Sequence, residues 1–176
     1  MGFDEEDLGL SFQQIKQGIK GAVTVVNRMT TLFAFASDHF PSGKYGSNFF
    51  EMLFNPSEMD IGFFHSPSLN QNMTYGIYLP PGYEGNETTF YPVLYFFGGY
   101  NMSLDGMANE WIQAALDALI LSRYMQKMIV VFVEGTNIKN GRGHFFVNQI
   151  DHERGDLYMN AFLDLVSFID THFRTK

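Results

Sequence analysis

The sequence predicts an α/β fold: a mostly parallel sheet, antiparallel in its first strands, with helices on both faces. Three observations lead there. Two continuous apolar runs, Pro92 to Phe97 and Met128 to Val133, read as strands buried on both faces, and glycines follow each. A segment with helical spacing lies between them and another follows the second. Such alternation of strand and helix builds a sheet through right-handed crossovers. Size and composition agree, since 176 residues suit one domain with a short extra arm. With 45% hydrophobic and 17% charged residues, the chain carries a packed core rather than disorder.

Residues 1–57 form an arm with no assignment, and 58–176 form the domain. In the arm, Phe12, Ile15, Ile19, Val23 and Val26 recur at spacings of three and four, which suits an amphipathic helix interrupted by Gly18 and Gly21. Residues 37–47 read as a Pro/Gly/Ser loop. In the domain, Met59–His65 reads as a strand, SPSLNQN as a turn and Thr74–Leu79 as a second strand, stopped by Pro80-Pro81-Gly82. The two are expected to pair antiparallel. After Pro92–Phe97, a helix is predicted over Ala108–Met125. Its stripe is Ile112, Ala115, Leu116 and Leu119, with Trp111 on the same broad face and expected in the core. After Met128–Val133 comes a long polar and aromatic loop, then a helix over Leu157–Phe173 with Phe162, Leu165, Val166 and Ile169 on one stripe.

Several function classes drop out. Eleven basic against nineteen acidic residues give −8, not the basic footprint of a nucleic-acid binder. No cysteine is present, so disulfides, thiolate zinc sites and cysteine nucleophiles are excluded. The acidic start is unlike a secretory signal, and no apolar stretch is long enough to span a bilayer. The chain is therefore expected in the cytoplasm, or secreted with its signal removed. Of five histidines, none stands in an H-E-x-x-H or H-x-x-x-H spacing, and no metal or cofactor is expected. His144, His152, Asp151, Glu153 and Asp156 share one loop and read as solvated rather than as ligands. His172 and Arg174 end the last helix, where cations suit the macrodipole.

Six stretches carry a resemblance: SPSLNQNMTYGIYLPPGYE (66–84), YPVLYFFGGY (91–100), EWIQAALDALI (110–120), MIVVFVEG (128–135), GHFFVNQ (143–149) and FLDLVSFIDTHFRTK (162–176). In this order and spacing they resemble the esterase family of α/β hydrolases that takes in feruloyl esterases, S-formylglutathione hydrolases and mycolyltransferases. The likeness covers roughly residues 58–176. It implies the N-terminal half of an esterase domain that acts on a small ester substrate through a serine nucleophile. In that fold the chain order is serine in a G-x-S-x-G elbow, then the acid, then the histidine. All three would lie beyond Lys176, so no catalytic residue is assigned here.

Ser103 follows the loop of interest but lacks the elbow and a base, and reads as a polar loop residue. What the resemblance does place in this chain is the oxyanion loop, Gly98-Gly99-Tyr100-Asn101, with Gly98 where the family usually has His. Tyr100 is the expected backbone donor, and Gly99 would allow close approach. Phe145, Phe146 and Asn148 resemble the loop beside the family's active site and are expected to line the substrate pocket. The chain alone is expected to be inactive and to self-associate through an open sheet edge. Two other readings stand beside this one: a non-catalytic binding or structural protein on the esterase scaffold, and one half of a split esterase.

Overall fold

The structure, a computed structural model, describes residues 55–85, 87–100, 102–135, 146–148 and 157–176. The arm helix, the loop at 37–47, Asn101, Phe145 and the group His144, Asp151, His152, Glu153 and Asp156 lie outside these residues.

The chain opens with a hairpin, β1 (Glu58–Ser66) and β2 (Gln71–Leu79), in antiparallel register from Glu58 opposite Leu79 to Ser66 opposite Gln71. The predicted antiparallel pair is present, with longer strands. Its turn is only four residues, because Asn70 adopts φ 46° and donates its N–H to Pro67 O at 3.2 Å. β3 (Val93–Phe97) leads through a single 3-10 turn (Leu104–Gly106) into α1 (Glu110–Leu121). Then come β4 (Ile129–Val133) and α2 (Tyr158–His172).

The sheet runs β1-β2-β4-β3. β4 pairs antiparallel with β2 and parallel with β3. Only one of three pairs is parallel, so the expectation of a mostly parallel sheet is corrected. The β3–α1–β4 crossover makes the parallel pair, whereas a hairpin fixes β1 against β2, and β2 meets β4 head to tail. A second correction concerns β3. β4 is buried throughout, but Leu94 and Phe96 are 46% and 49% exposed because β3 is an edge strand. An apolar run cannot tell an edge from a centre. At its outer edge, Tyr91 forms a parallel bridge with Thr175: Tyr91 N–H donates to Arg174 O at 2.8 Å and Lys176 N–H to Tyr91 O at 3.0 Å.

The helices do cover opposite faces. On one, α2 lays Leu165 and Ile169 over Tyr75, Ile77, Val131 and Val133. On the other, Leu104, Met107 and Ile120 pack on Tyr78, Val130 and Phe132. Both helices are shorter than predicted. Asn109 caps α1, its side-chain oxygen accepting from Trp111 N and Ile112 N at 3.1 Å. Beyond Ser122, Arg123 enters the left-handed region (φ 63°) and ends the helix.

The buried face of α1 also differs from the predicted stripe. It carries Gln113, Ala114, Asp117, Ala118, Ile120 and Leu121, while Ile112 is exposed and Trp111 is 72% exposed. Trp111 is therefore not a core residue. The face is rotated because its polar members are satisfied inside. Ser57 Oγ donates to Asp117 Oδ2 at 2.8 Å and Tyr78 OH to Asp117 Oδ1 at 2.7 Å. Gln113 Nε2 donates to Ser57 O and Ser57 Oγ, both at 2.9 Å. A hydrophobicity pattern scores such positions as solvent-facing, although buried polar groups that find partners are tolerated.

Candidate active site

The predicted oxyanion loop sits at the C-terminal end of β3, where open α/β sheets place their ligands. Its backbone is tied to the end of β4. Gly98 N–H donates to Val133 O (2.9 Å), Met102 N–H to Gly99 O (2.9 Å) and Gly135 N–H to Met102 O (3.2 Å). A Cβ on Gly98 would stand 2.9 Å from Met107 Cε, so the Met107 side chain fills that space. Over Gly99 the nearest heavy atom to a Cβ would be 4.0 Å away, at Met102 Cε, and Tyr100 is exposed. Gly99 and Tyr100 thus stand at an accessible turn.

Next to this turn a narrow, shallow cleft runs between the end of β4 and the first turns of α2. Phe64, Met73, Phe146 and Phe162 supply apolar wall, and Thr74 and Glu134 supply polar groups, the Thr74 hydroxyl donating to the Glu134 carboxylate. Phe97, the residue before Gly98, packs edge-on against Phe146 and tilted against Phe162, each at 4.8 Å between ring centroids. Phe146 is therefore brought to the cleft, in a strained left-handed conformation (φ 55°).

Asn148 has a different place. Its Oδ1 accepts from Met159 N (3.0 Å) and Asn160 N (3.3 Å), and its Nδ2 donates to Asn160 Oδ1 (2.9 Å). It caps α2 from outside the helix, and the cleft walls do not include it. Leu157, at the N-cap position by sequence, has no side-chain oxygen to cap with, which is the one signal that such a partner was needed.

Serines and carboxylates meet at two points. Besides Ser57 with Asp117, Ser66 Oγ donates to Asp164 Oδ2 at 2.7 Å and Ser68 N–H donates to the same oxygen at 3.0 Å. Burial alone would raise the Asp164 pKa, but these hydrogen bonds and the nearby His65 outweigh it and hold the carboxyl below its ordinary value. Ser57 and Ser66 are fully buried with engaged hydroxyls, so neither is placed to attack a substrate. Ser103 is exposed, and its side chain caps nothing in the 3-10 turn that it precedes. Among the described residues no group of three or more His, Asp or Glu could hold a metal, and no helix is long and apolar enough to cross a membrane.

A sheet with helices on both faces and a backbone-tied turn above its parallel pair defines an α/β fold. Solved structures share it. A ferulic acid esterase superposes with a TM-score of 0.59 at 20% identity, over 68% of this chain and 45% of its own. The feruloyl esterase module from Clostridium thermocellum, complexed with sinapinate, gives 0.52 at 16% identity, over 68% and 37%. An S-formylglutathione hydrolase from Agrobacterium tumefaciens gives 0.52 at 16%, over 68% and 46%. This chain thus spans less than half the length of each. No curated protein matches it. The model of the family described as "Putative esterase" matches residues 66–176, and the chain belongs to that family.

Proposed function

We propose that these residues form the oxyanion side of a carboxylic-ester hydrolase. The observation that carries this reading is the Gly98–Met102 turn, bonded to the end of β4 and standing beside an aromatic cleft. Tyr100 N–H is the donor that would hold the developing oxyanion, with Gly99 leaving room for the reacting carbonyl and Phe146 walling the substrate group. A backbone donor survives the change from His to Gly at position 98, and Met107 supplies the support a side chain there would give. The substrate is a small ester. A serine would attack its carbonyl while a histidine moves the proton. No described serine has that setting, so the nucleophile and its base come from outside the residues described here.

The test is direct. The 176-residue chain is expected neither to hydrolyse p-nitrophenyl acetate or butyrate nor to be labelled by a fluorophosphonate. Labelling that disappears in Ser103→Ala would overturn the assignment and make Ser103 the nucleophile.

The exposed β3 edge supports a proposal about association. Leu94 and Phe96 face solvent on one side of this strand, and Phe97 is also exposed. Open apolar edges pair with other chains. The chain alone is expected to self-associate at micromolar concentration, as light scattering would detect. A monomer at every concentration up to solubility would argue against it. Persistent monomers with specific ligand binding at the cleft, and no hydrolysis by any completed form, would favour a binding protein on this scaffold.

A further inference from the structure

We propose that Gly135 is a positioning residue for the oxyanion turn. This rests on the esterase reading above and concerns the same site. Gly135 follows β4 by two residues and closes the stretch MIVVFVEG. A Cβ built on it would lie 2.3 Å from Gly99 O, 3.2 Å from Gly99 C and 3.3 Å from Gly98 O. Those neighbours are backbone atoms, so no side-chain rotation relieves the clash.

The same contact is where the turn is fastened. Gly99 O, the atom that a Cβ would strike, accepts from Met102 N at 2.9 Å, and Met102 O accepts from Gly135 N at 3.2 Å. The bare Cα of Gly135 therefore lets the turn lie flat on the end of β4 and sets the plane of the peptides that follow, Tyr100 N–H included. Thr74 steadies this end of β4 from the neighbouring strand through its hydrogen bond to Glu134. An oxyanion donor is useful only when it is aimed before the charge forms, so the residue that fixes the aim acts on catalysis without touching substrate.

Three glycines of this region make an internal series. At Gly135 a methyl meets backbone, at Gly98 it meets chiefly the end of the flexible Met107 side chain, and at Gly106 it meets nothing within 4 Å. Hydrogen–deuterium exchange of the 176-residue chain, read by mass spectrometry on peptides covering 97–107 and 128–133, separates positioning from a general loss of stability. In Gly135→Ala, exchange in 97–107 is expected to rise at least tenfold, with 128–133 within twofold of the parent. Gly98→Ala is expected to show a smaller rise, and Gly106→Ala none. If Gly135→Ala does not fold, Thr74→Val decides, since it loosens the end of β4 without a clash and is expected to raise exchange in 97–107 alone. Unchanged exchange in 97–107 for Gly135→Ala would overturn the proposal. So would an equal rise in both peptides for whichever variant decides, or no rise in Thr74→Val if that variant decides. Ester-hydrolysis assays bear on the esterase reading and leave these exchange rates untouched, so the two failures are distinct.

Discussion

Removing one oxygen from Tyr78 is expected to destabilise the fold markedly. Tyr78 has no solvent exposure, and its hydroxyl donates to Asp117 Oδ1 at 2.7 Å. Burial, then the Asp117 charge and hydrogen bond, push the phenol pKa well above its ordinary value, so the group remains a donor at any working pH. Tyr78→Phe keeps the ring and its packing but leaves a buried carboxylate oxygen short of a donor. A bond to a charged acceptor contributes about 1.5–3 kcal/mol. With a urea m-value of about 2 kcal/mol/M, the midpoint should fall by about 1 M. The assay is urea unfolding followed by far-UV circular dichroism at pH 7 and fixed protein concentration. Tyr95→Phe is the matched control: the same atom is removed from the same sheet, but the Tyr95 hydroxyl is buried with no hydrogen-bond partner among the described residues. If Tyr78→Phe lowers the midpoint no more than Tyr95→Phe does, the polar cluster is not what holds α1 to the sheet.

Three further outcomes are expected. Tyr95→Phe itself should be neutral or stabilising by up to about 1 kcal/mol in the same urea series, since it removes a desolvated group that gains no bond. Burial, with Asp170 adding to it, raises the Tyr95 pKa to about 12, so the neutral phenol favours the fold. That contribution is present below the ordinary tyrosine value and is lost as pH rises toward 12. Absorbance at 295 nm should show late-titrating tyrosines, Tyr78 among them, with one fewer in Tyr95→Phe. Asp164 has a depressed pKa, so its contribution is present above the ordinary carboxylate value and fades as pH falls through the lowered one. Asp164→Asn should flatten the acid limb of thermal melts below about pH 4. Arg123→Gly should stabilise by about 0.5–1 kcal/mol, read as a rise in urea midpoint, because φ 63° suits glycine.

The elements announced themselves where hydrophobicity and breakers agreed. β4, with five apolar residues closed by Glu134-Gly135, falls within one residue of its predicted start, and the hairpin strands pair as expected. The apolar run of β3 was legible as a strand and its open edge followed from the resemblance, but the run itself read as buried on both faces, because what covers a strand is set by topology rather than by its own residues. The face of α1 was misread because Gln113 and Asp117 are buried against Ser57 and Tyr78, partners 56 and 39 residues away, respectively. At the site, the Gly98-Gly99-Tyr100 turn could be located from the strand end, and Phe146 is among the residues that line the cleft. Gly135 was invisible, since a glycine after a strand reads as a simple stop until the carbonyl packed against it is seen. Asn148 was legible as a residue near the site, but its capping bonds depend on a helix that starts ten residues later.

Those capping bonds make residues 149–156 a natural insertion point. Asn148 and Leu157 form an antiparallel bridge. The first turn of α2 is held by the far member of that bridge. Lengthening a closed loop costs little, about 0.6 kcal/mol for each doubling. Sequence added between Asn148 and Leu157 would therefore leave the helix start in register while the bridge and the capping bonds persist, and a reporter peptide or a whole guest domain could be carried there.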